Sequence, residues 1–260
     1  MSEHAAQPLA GRCILVTRAA DQAVDLQAAL SERGAVVVLC PLVRSEALPE
    51  AALPDLAGFD WLVVTSPNGV RYLRDRLDPS HGTEPVRLPP RLRLAVVGPG
   101  TARAAVAMLG AVADLCPEVA TGAHLAVACR TAGLPVGARV LRVRGDLAGD
   151  EVEEALRDLG AQVSVSTLYR TVRVAPTAEA AALVARGQIA AVTFASGSAV
   201  ASFEAGFAGH RLHPTTLAAC LGPVTARAAA DCGWQRVVTA AEPTPAAVTA
   251  ALERGLAASG

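Results

Sequence analysis

The chain has 260 residues, of which 52% are hydrophobic and 18% charged, and its net charge is −1. The length suits one large domain or two small ones with a real core, and the composition excludes extended disorder. The near-neutral balance argues against a duplex nucleic-acid surface and the 3% aromatic content against base-stacking platforms; all 23 basic residues are Arg, which excludes a Schiff-base or phosphate-loop lysine.

Met1 to Gly11 is short and polar, without a signal-peptide pattern. Cys13 to Thr17 then reads as a strand, Asp21 to Arg33 as a helix stopped at Gly34, and Val36 to Cys40 as the next strand. Strand Trp61 to Thr65 leads to helix Pro67 to Leu77, and strand Leu94 to Val97 to helix Thr101 to Leu109, which ends at Gly110. The second half continues with strand Val140 to Val143, helix Asp150 to Leu159 and strand Gln162 to Ser166. Strand Ala191 to Phe194, helix Ser198 to Phe207, strand Leu217 to Leu221, helix Thr225 to Cys232 and strand Arg236 to Thr239 complete it. Alternating short strands and helices predict an α/β architecture with parallel sheets, and strands without polar alternation predict helices on both sheet faces. No apolar run is long enough to span a membrane, so a cytoplasmic protein without membrane contact is expected.

The halves look duplicated. Gly11 to Arg18 aligns with Gly137 to Arg144, and the same offset persists through Leu30 and Leu156, Gly34-Ala35 and Gly160-Ala161, and Arg44 and Arg170. A second unit repeats as Thr65 to Val70 against Ala195 to Val200, and as Gly98-Pro99-Gly100-Thr101-Ala102 against Gly222-Pro223-Val224-Thr225-Ala226. Two lobes of about 100–130 residues follow. Chain continuity favours each lobe being one half of the chain; the alternative builds the first lobe from both chain ends and the second from the middle. Asp78 to Pro90 is a Pro-rich, His-containing loop.

Ligands of open parallel sheets bind beyond the carboxyl ends of the strands, where loops enter helices. Small polar residues collect there: Thr17-Arg18, Thr65-Ser66-Pro67-Asn68-Gly69, Gly98-Pro99-Gly100-Thr101, Arg144-Gly145-Asp146, Ser196-Gly197-Ser198, Gly222-Pro223-Val224-Thr225 and Pro243-Thr244. Helix capping alone explains any one such turn. Their recurrence in duplicated register makes a set of N–H donors and hydroxyls suited to carboxylates or phosphates. Gly98-Pro99-Gly100 is not a dinucleotide fingerprint, since Arg103 holds its sixth position, and neither a GxSxG elbow nor a Ser-His-Asp set can be assembled.

Glu151, Glu153, Glu154 and Asp158 read as a solvated helix face, with Asp146 and Asp150 nearer a strand end. The cysteines Cys13, Cys40, Cys116, Cys129, Cys220 and Cys232 form no CxxC pair and read as small buried residues. His4, His81, His124, His210 and His213 show no ligand spacing, so no metal is expected. Tyr72 reads as helix packing. Tyr169 follows a strand, at the expected crossing between lobes, where a phenol is placed to donate a proton.

Together these residues resemble the uroporphyrinogen-III synthase family, from about Cys13 to Leu252. The resemblance rests on Ile14-Leu15-Val16-Thr17-Arg18, Thr65 to Val70, Ala95 to Ala102, Leu141-Arg142-Val143-Arg144-Gly145, Gly160-Ala161 followed by Tyr169-Arg170, Val192 to Val200, Cys220 to Ala226 and Ala241 to Thr244. Two positions depart from it: Ala19 stands where the family often has Pro, and Asp150 where relatives often carry Arg.

The resemblance implies two similar α/β lobes joined by a two-stranded linker, with a discontinuous first lobe. Lobe 1 would be residues 9–41 plus 174–260 and lobe 2 residues 44–170, with linkers near 41–45 and 168–175 and the active site in the cleft between. The implied activity is that of a cyclising lyase that closes linear hydroxymethylbilane to uroporphyrinogen III, with loss of water and inversion of ring D, in haem biosynthesis. It implies no cofactor, a monomer, and transient handover of substrate from hydroxymethylbilane synthase. Tyr169 would be the proton donor. Thr17, Arg18, Thr65, Ser66, Asn68, Gly69, Thr101, Arg144, Ser196, Gly197, Ser198, Thr225 and Thr244 would bind the substrate's acetate and propionate groups. The competing reading is a two-lobed, non-catalytic sensor of a tetrapyrrole or small anion. Some relatives with that role carry a DNA-binding domain, and the chain's end soon after Leu256 sets the expectation of an enzyme. A nucleotide-binding enzyme is disfavoured by the missing fingerprint.

Overall fold

Val- and Leu-rich runs fold as strands and the Ala-rich stretches between them as helices in the computed structural model, which describes residues 8–80, 84–119, 122–208 and 214–257. His4, His81, His210 and His213, with residues 81–83 of the Pro-rich loop and the first seven residues, lie outside the described residues. In chain order the elements are β1 (Cys13–Val16), α1 (Ala20–Ser31), β2 (Val36–Leu39), β3 (Val43–Ala47), β4 (Trp61–Val64), α2 (Pro67–Leu77), β5 (Arg93–Val96) and α3 (Pro99–Leu109). Then follow α4 (Gly122–Thr131), β6 (Arg139–Gly145), α5 (Glu151–Asp158), β7 (Gln162–Arg173), α6 (Ala178–Ala185), β8 (Ala191–Phe194) and α7 (Gly197–Gly206). The last are β9 (Leu217–Cys220), α8 (Pro223–Asp231), β10 (Val237–Thr239) and α9 (Pro245–Ala257).

The chain divides into two units, Met1–Arg44 with Val172–Gly260, and Ser45–Thr171. The first sheet has the order β10-β9-β8-β1-β2 and the second β3-β7-β6-β4-β5. β1 therefore pairs in parallel with β8 from the far end of the chain, and β6 with β4. Four strands of each sheet follow one order of connections (β9-β8-β1-β2 and β5-β4-β6-β7), while β10 extends the first sheet beyond β9 and β3 the second beyond β7.

Both faces of each sheet are covered, which explains the missing polar alternation. In the first unit Ile14 and Val16 pack with Leu26, Leu30, Val248 and Leu252 of α1 and α9. Leu15, Val192 and Phe194 point the other way, towards Val184, Val200 and Phe203. Phe194 meets Phe203 and Trp234 edge-on at 5.5 and 5.3 Å. In the second unit Leu62, Val64, Leu141 and Val143 pack under α2 and α3, while Trp61, Val63 and Val140 pack under α4 and α5. The left-handed cap that ends α3 at Gly110 (φ 57°) suits a residue without a Cβ.

Three expectations need correction. Strand β7 does not stop at Ser166 but runs to Arg173, so Tyr169 lies within a strand. Its second half, Thr167-Leu168-Tyr169-Arg170-Thr171-Val172, is rich in β-formers and has β3 as its neighbour. The bond from Leu48 N–H to the Leu168 carbonyl and that from Val174 N–H to the Leu42 carbonyl run in antiparallel register. Elements α4, α6 and α9 were not anticipated, although Thr177 and Thr244 cap α6 and α9, and β3 was implied only as a linker strand near 41–45. Finally, Cys116 and Cys232 are exposed rather than buried. Burial pushes the Cys129 and Cys220 thiols up to about 11, so both stay protonated at neutral pH. Among the described residues no helix is long and apolar enough to cross a membrane, and no His, Cys, Asp and Glu cluster could hold a metal.

Candidate active site

Parallel strands place their carboxyl ends along one edge of each sheet. The chain leaves that edge in opposite directions from β1 and β8, and from β6 and β4, so each sheet has a switch point between those neighbours. Such points open a crevice for ligands. Thr17, Arg18 and Ser196–Ser198 follow the first pair and Thr65–Gly69 and Arg144 lie at the ends of the second, whereas Thr101, Thr225 and Thr244 follow β5, β9 and β10.

In the first unit Thr17 follows β1 and is fully buried; its hydroxyl donates to the Thr193 carbonyl of β8 at 2.7 Å. That proton is committed to the fold, where it clamps the two strands at the switch point. Ser196 caps α7, its Oγ accepting from Ala199 N–H at 3.2 Å and lying 2.9 Å from Ser198 Oγ. Arg18 and Gly197 are half-buried beside these groups in sequence. Thr225 is buried in the first turn of α8. The Thr244 hydroxyl accepts from Ala247 N–H at 3.3 Å and so caps α9. Ser196 and Thr244 thus perform the capping that local sequence predicts, whereas among the described residues Thr17 and Thr225 cap no helix.

The second unit brings more of the predicted residues into direct contact. Ser66 caps α2 by accepting from Gly69 N–H at 3.0 Å, and the same oxygen lies 2.9 Å from the Tyr169 hydroxyl. A Cβ on Gly69 would stand 2.8 Å from Val64 Cγ1, so this turn needs glycine for close approach. Thr65 and Asn68 are half-buried in the same turn, and Thr101 is buried in the first turn of α3, as Thr225 is in α8.

Tyr169 is only 8% exposed. Its ring stacks on Tyr72 at 4.9 Å with 16° between planes. The Arg71 guanidinium sits 4.7 Å over the Tyr72 ring and donates to the Tyr72 and Ser45 hydroxyls. On β6, Gly145 leaves the space that the phenol fills: a Cβ there would lie 2.5 Å from Tyr169 Cε2. Asp146 closes the strand end by donating its N–H to the Tyr169 carbonyl and accepting from Thr171 N–H at 2.9 Å. Burial raises the phenol above its ordinary range; the Ser66 hydrogen bond opposes this and the Asp146 charge adds to it. Tyr169 therefore keeps its proton at neutral pH.

Arg144 points to the opposite face of β6, as does Arg142 two residues earlier. Both meet Glu153 of α5, which is 1% exposed. Arg142 Nη1 donates to Glu153 Oε2, while Arg144 Nη1 donates to Glu153 Oε1 at 2.8 Å and to Asp150 Oδ1 at 2.5 Å. Glu153 was expected on a solvated face. Its buried position is the correction, and the reason is the pair of cations that the strand alternation aims at it. Burial lowers the Arg142 pKa against the pull of Glu153, and the hydrogen bond to Asp150 raises that of Arg144. Sequence reasoning named Gly145 only as part of a polar strand-end turn and passed over Arg71. The signal for the buried cluster was available: two charges at spacing two in an otherwise apolar strand share one face.

The family model described as uroporphyrinogen-III synthase HemD matches residues 24–250. The chain is 28% identical over 238 residues to the porphyrin biosynthesis protein HemD of Ruminiclostridium josui, covering 89% of this chain and 46% of that protein. It is 33% identical over 177 residues to the uroporphyrinogen-III synthase of Synechococcus elongatus, covering 64% of this chain and 63% of that one. The chain thus spans between about half and just under two thirds of the length of these curated relatives. A mutant uroporphyrinogen III synthase from Thermus thermophilus shares the fold with a TM-score of 0.63 at 19% identity, covering 95% of this chain and 100% of that one. The uroporphyrinogen-III synthetase of Helicobacter pylori does so with a TM-score of 0.60 at 16% identity, covering 95% and 99%.

Proposed function

The chain belongs to the uroporphyrinogen-III synthase family, and from that premise we propose that it closes hydroxymethylbilane to uroporphyrinogen III, acting as a cyclising lyase in the cytoplasm. The observation that carries this reading is the family match, which runs across both units from residue 24 to residue 250. A monomer receiving substrate from hydroxymethylbilane synthase is part of the same reading.

In the proposed reaction the hydroxyl of the terminal hydroxymethyl group leaves as water, and its carbon stays to become the closing bridge. The ring nitrogen pushes electrons towards the carbon that loses the hydroxyl, and a donor supplies the proton to the oxygen. Tyr169 is the proposed donor. Its support is a phenol kept neutral by burial and oriented by Ser66 and by the Tyr72 ring. The resulting electrophilic carbon is attacked by the substituted carbon of ring D. The spiro intermediate opens and recloses with that ring inverted, and the proton lost from ring D as its pyrrole is restored balances the one that left with the water. Without a protein the same precursor closes without inversion, so the main task is to hold one conformation of a flexible chain.

The substrate's carboxylates are the proposed ligands of the loop N–H groups and hydroxyls at Arg18, Thr65, Ser66, Asn68, Gly69, Thr101, Ser196, Gly197, Ser198, Thr225 and Thr244, and of Arg144. Thr17 serves the same edge by clamping β1 to β8. Helix N-termini attract carboxylates without a lysine cluster, which suits a chain of net charge −1.

The test is incubation with freshly made hydroxymethylbilane, oxidation, and separation of the type I and type III porphyrins. Type III above the protein-free background is expected. Type I alone, with tight porphyrin binding, would replace synthesis by sensing.

A further inference from the structure

Arg144 has two carboxylate partners of opposite character. Glu153 is buried at 1% side-chain exposure and also holds the buried Arg142, so it is a fixed counter-ion. The Asp150 side chain is 65% exposed, and its hold on Arg144 is that of a surface pair. The four groups sum to zero charge: two guanidinium groups against two carboxylates. Without Asp150 the remaining three carry one net positive charge at the carboxyl end of β6, beside the switch point. Among the described residues the side-chain hydrogen bonds of Arg144 run through Nη1, to Glu153, Asp150 and, at 3.4 Å, the Gly149 carbonyl.

Asp150 also has an unused role. It occupies the position that starts α5, where an Asp side chain ordinarily accepts from the first-turn N–H groups. Here it makes no such bond, and its backbone (φ −93°, ψ 2°) is not in the extended capping geometry. The carboxylate has turned away from its helix and towards Arg144. A shift of its backbone to the extended capping geometry, with rotation of the side chain, would exchange one partner for the other.

We propose that Asp150 is an internal surrogate for a ligand carboxylate: it occupies Arg144 in the empty protein and is displaced onto the α5 N-terminus when an acetate or propionate arm binds. Glu153 is the positioning residue that keeps Arg144 in place throughout. The inference rests on the functional reading above and deepens it, by assigning one carboxylate subsite and a built-in competitor for it.

A surface pair of this kind lowers the apparent affinity of its competitor by about two- to fivefold. Asp150→Asn should therefore lower the KM for hydroxymethylbilane, and the Kd for uroporphyrin I read by porphyrin fluorescence, by that factor. The change should reside in KM rather than kcat. In Arg144→Gln the further change Asp150→Asn should bring no gain, because the shared cation is gone. Type III formation by the parent together with an unchanged or raised KM and Kd in Asp150→Asn would overturn this inference alone. A gain that persists in the double variant would also overturn it, by making the effect one of general charge. A parent that forms no type III product and binds no uroporphyrin would overturn the functional reading and this inference with it.

Discussion

Replacing Tyr169 with Phe removes one oxygen and leaves the stacked ring. The structure sets the stability change. The hydroxyl makes one hydrogen bond, to Ser66 at 2.9 Å, and Ser66 keeps a second partner in Gly69 N–H at 3.0 Å. No group is left wholly unpaired, so the loss is that of one net hydrogen bond, about 1 kcal/mol, or about 2–4 °C in Tm. The rate change is much larger if the phenol protonates the leaving oxygen, because a positioned acid contributes about 100-fold or more. The assay is the initial rate of type III formation, corrected for spontaneous type I closure, beside a thermal melt of the same preparation. A kcat within about twofold of the parent in a folded variant would remove Tyr169 as the donor. The pH dependence follows from the direction of the shift. With the folded pKa above the ordinary phenol value, the neutral form persists through neutral pH and this group causes no fall in rate there. Its linked stability is fully present below the unfolded phenol pKa and is lost as pH rises through the folded one.

Other substitutions probe the frame around that phenol. Gly145→Ala would place a Cβ within 2.5 Å of the Tyr169 ring, so the ring must leave Ser66; a loss of about 1–3 kcal/mol and a changed near-ultraviolet tyrosine spectrum are expected, and an unaltered spectrum would contradict the packing. Glu153→Gln strips the buried counter-charge from Arg142 and Arg144. It should destabilise by about 3–5 kcal/mol in denaturant titration, and a shift under about 1 kcal/mol would return Glu153 to a surface role. Thr17→Val keeps the shape but leaves the buried Thr193 carbonyl without its hydroxyl partner. A loss of about 1–3 kcal/mol is expected, and an unchanged midpoint would refute the clamp.

Much of the fold was legible because apolar strands covered on both faces leave a simple trace. Trp61–Val64 and Ala191–Phe194 are buried throughout, and Ser66 and Ser196 mark the helices that follow. Elements without that contrast left no such trace in their own residues. β3, read from Val43-Arg44-Ser45-Glu46-Ala47, is polar and half-buried because it is an edge strand, and its stability comes from a neighbour far along the chain. α9 escaped because its Ala-rich run declares a helix only once Val248 and Leu252 find Leu30 across the sequence. In the site, the capping hydroxyls were readable one turn at a time. The contact of Ser66 with Tyr169 was not, since 103 residues separate them.

Local chemistry determined the class of the protein: which segments become strands, where helices begin, and that the polar turns sit at strand ends. These depend on neighbours a few residues away, and the duplicated motifs report them. Strand partners were another matter. That β1 lies beside β8 and β6 beside β4 is decided by which apolar faces bury together across long loops. The same long-range packing buries Glu153 and turns Asp150 from its helix to a cation, because the energy of a charge depends on what surrounds it in space.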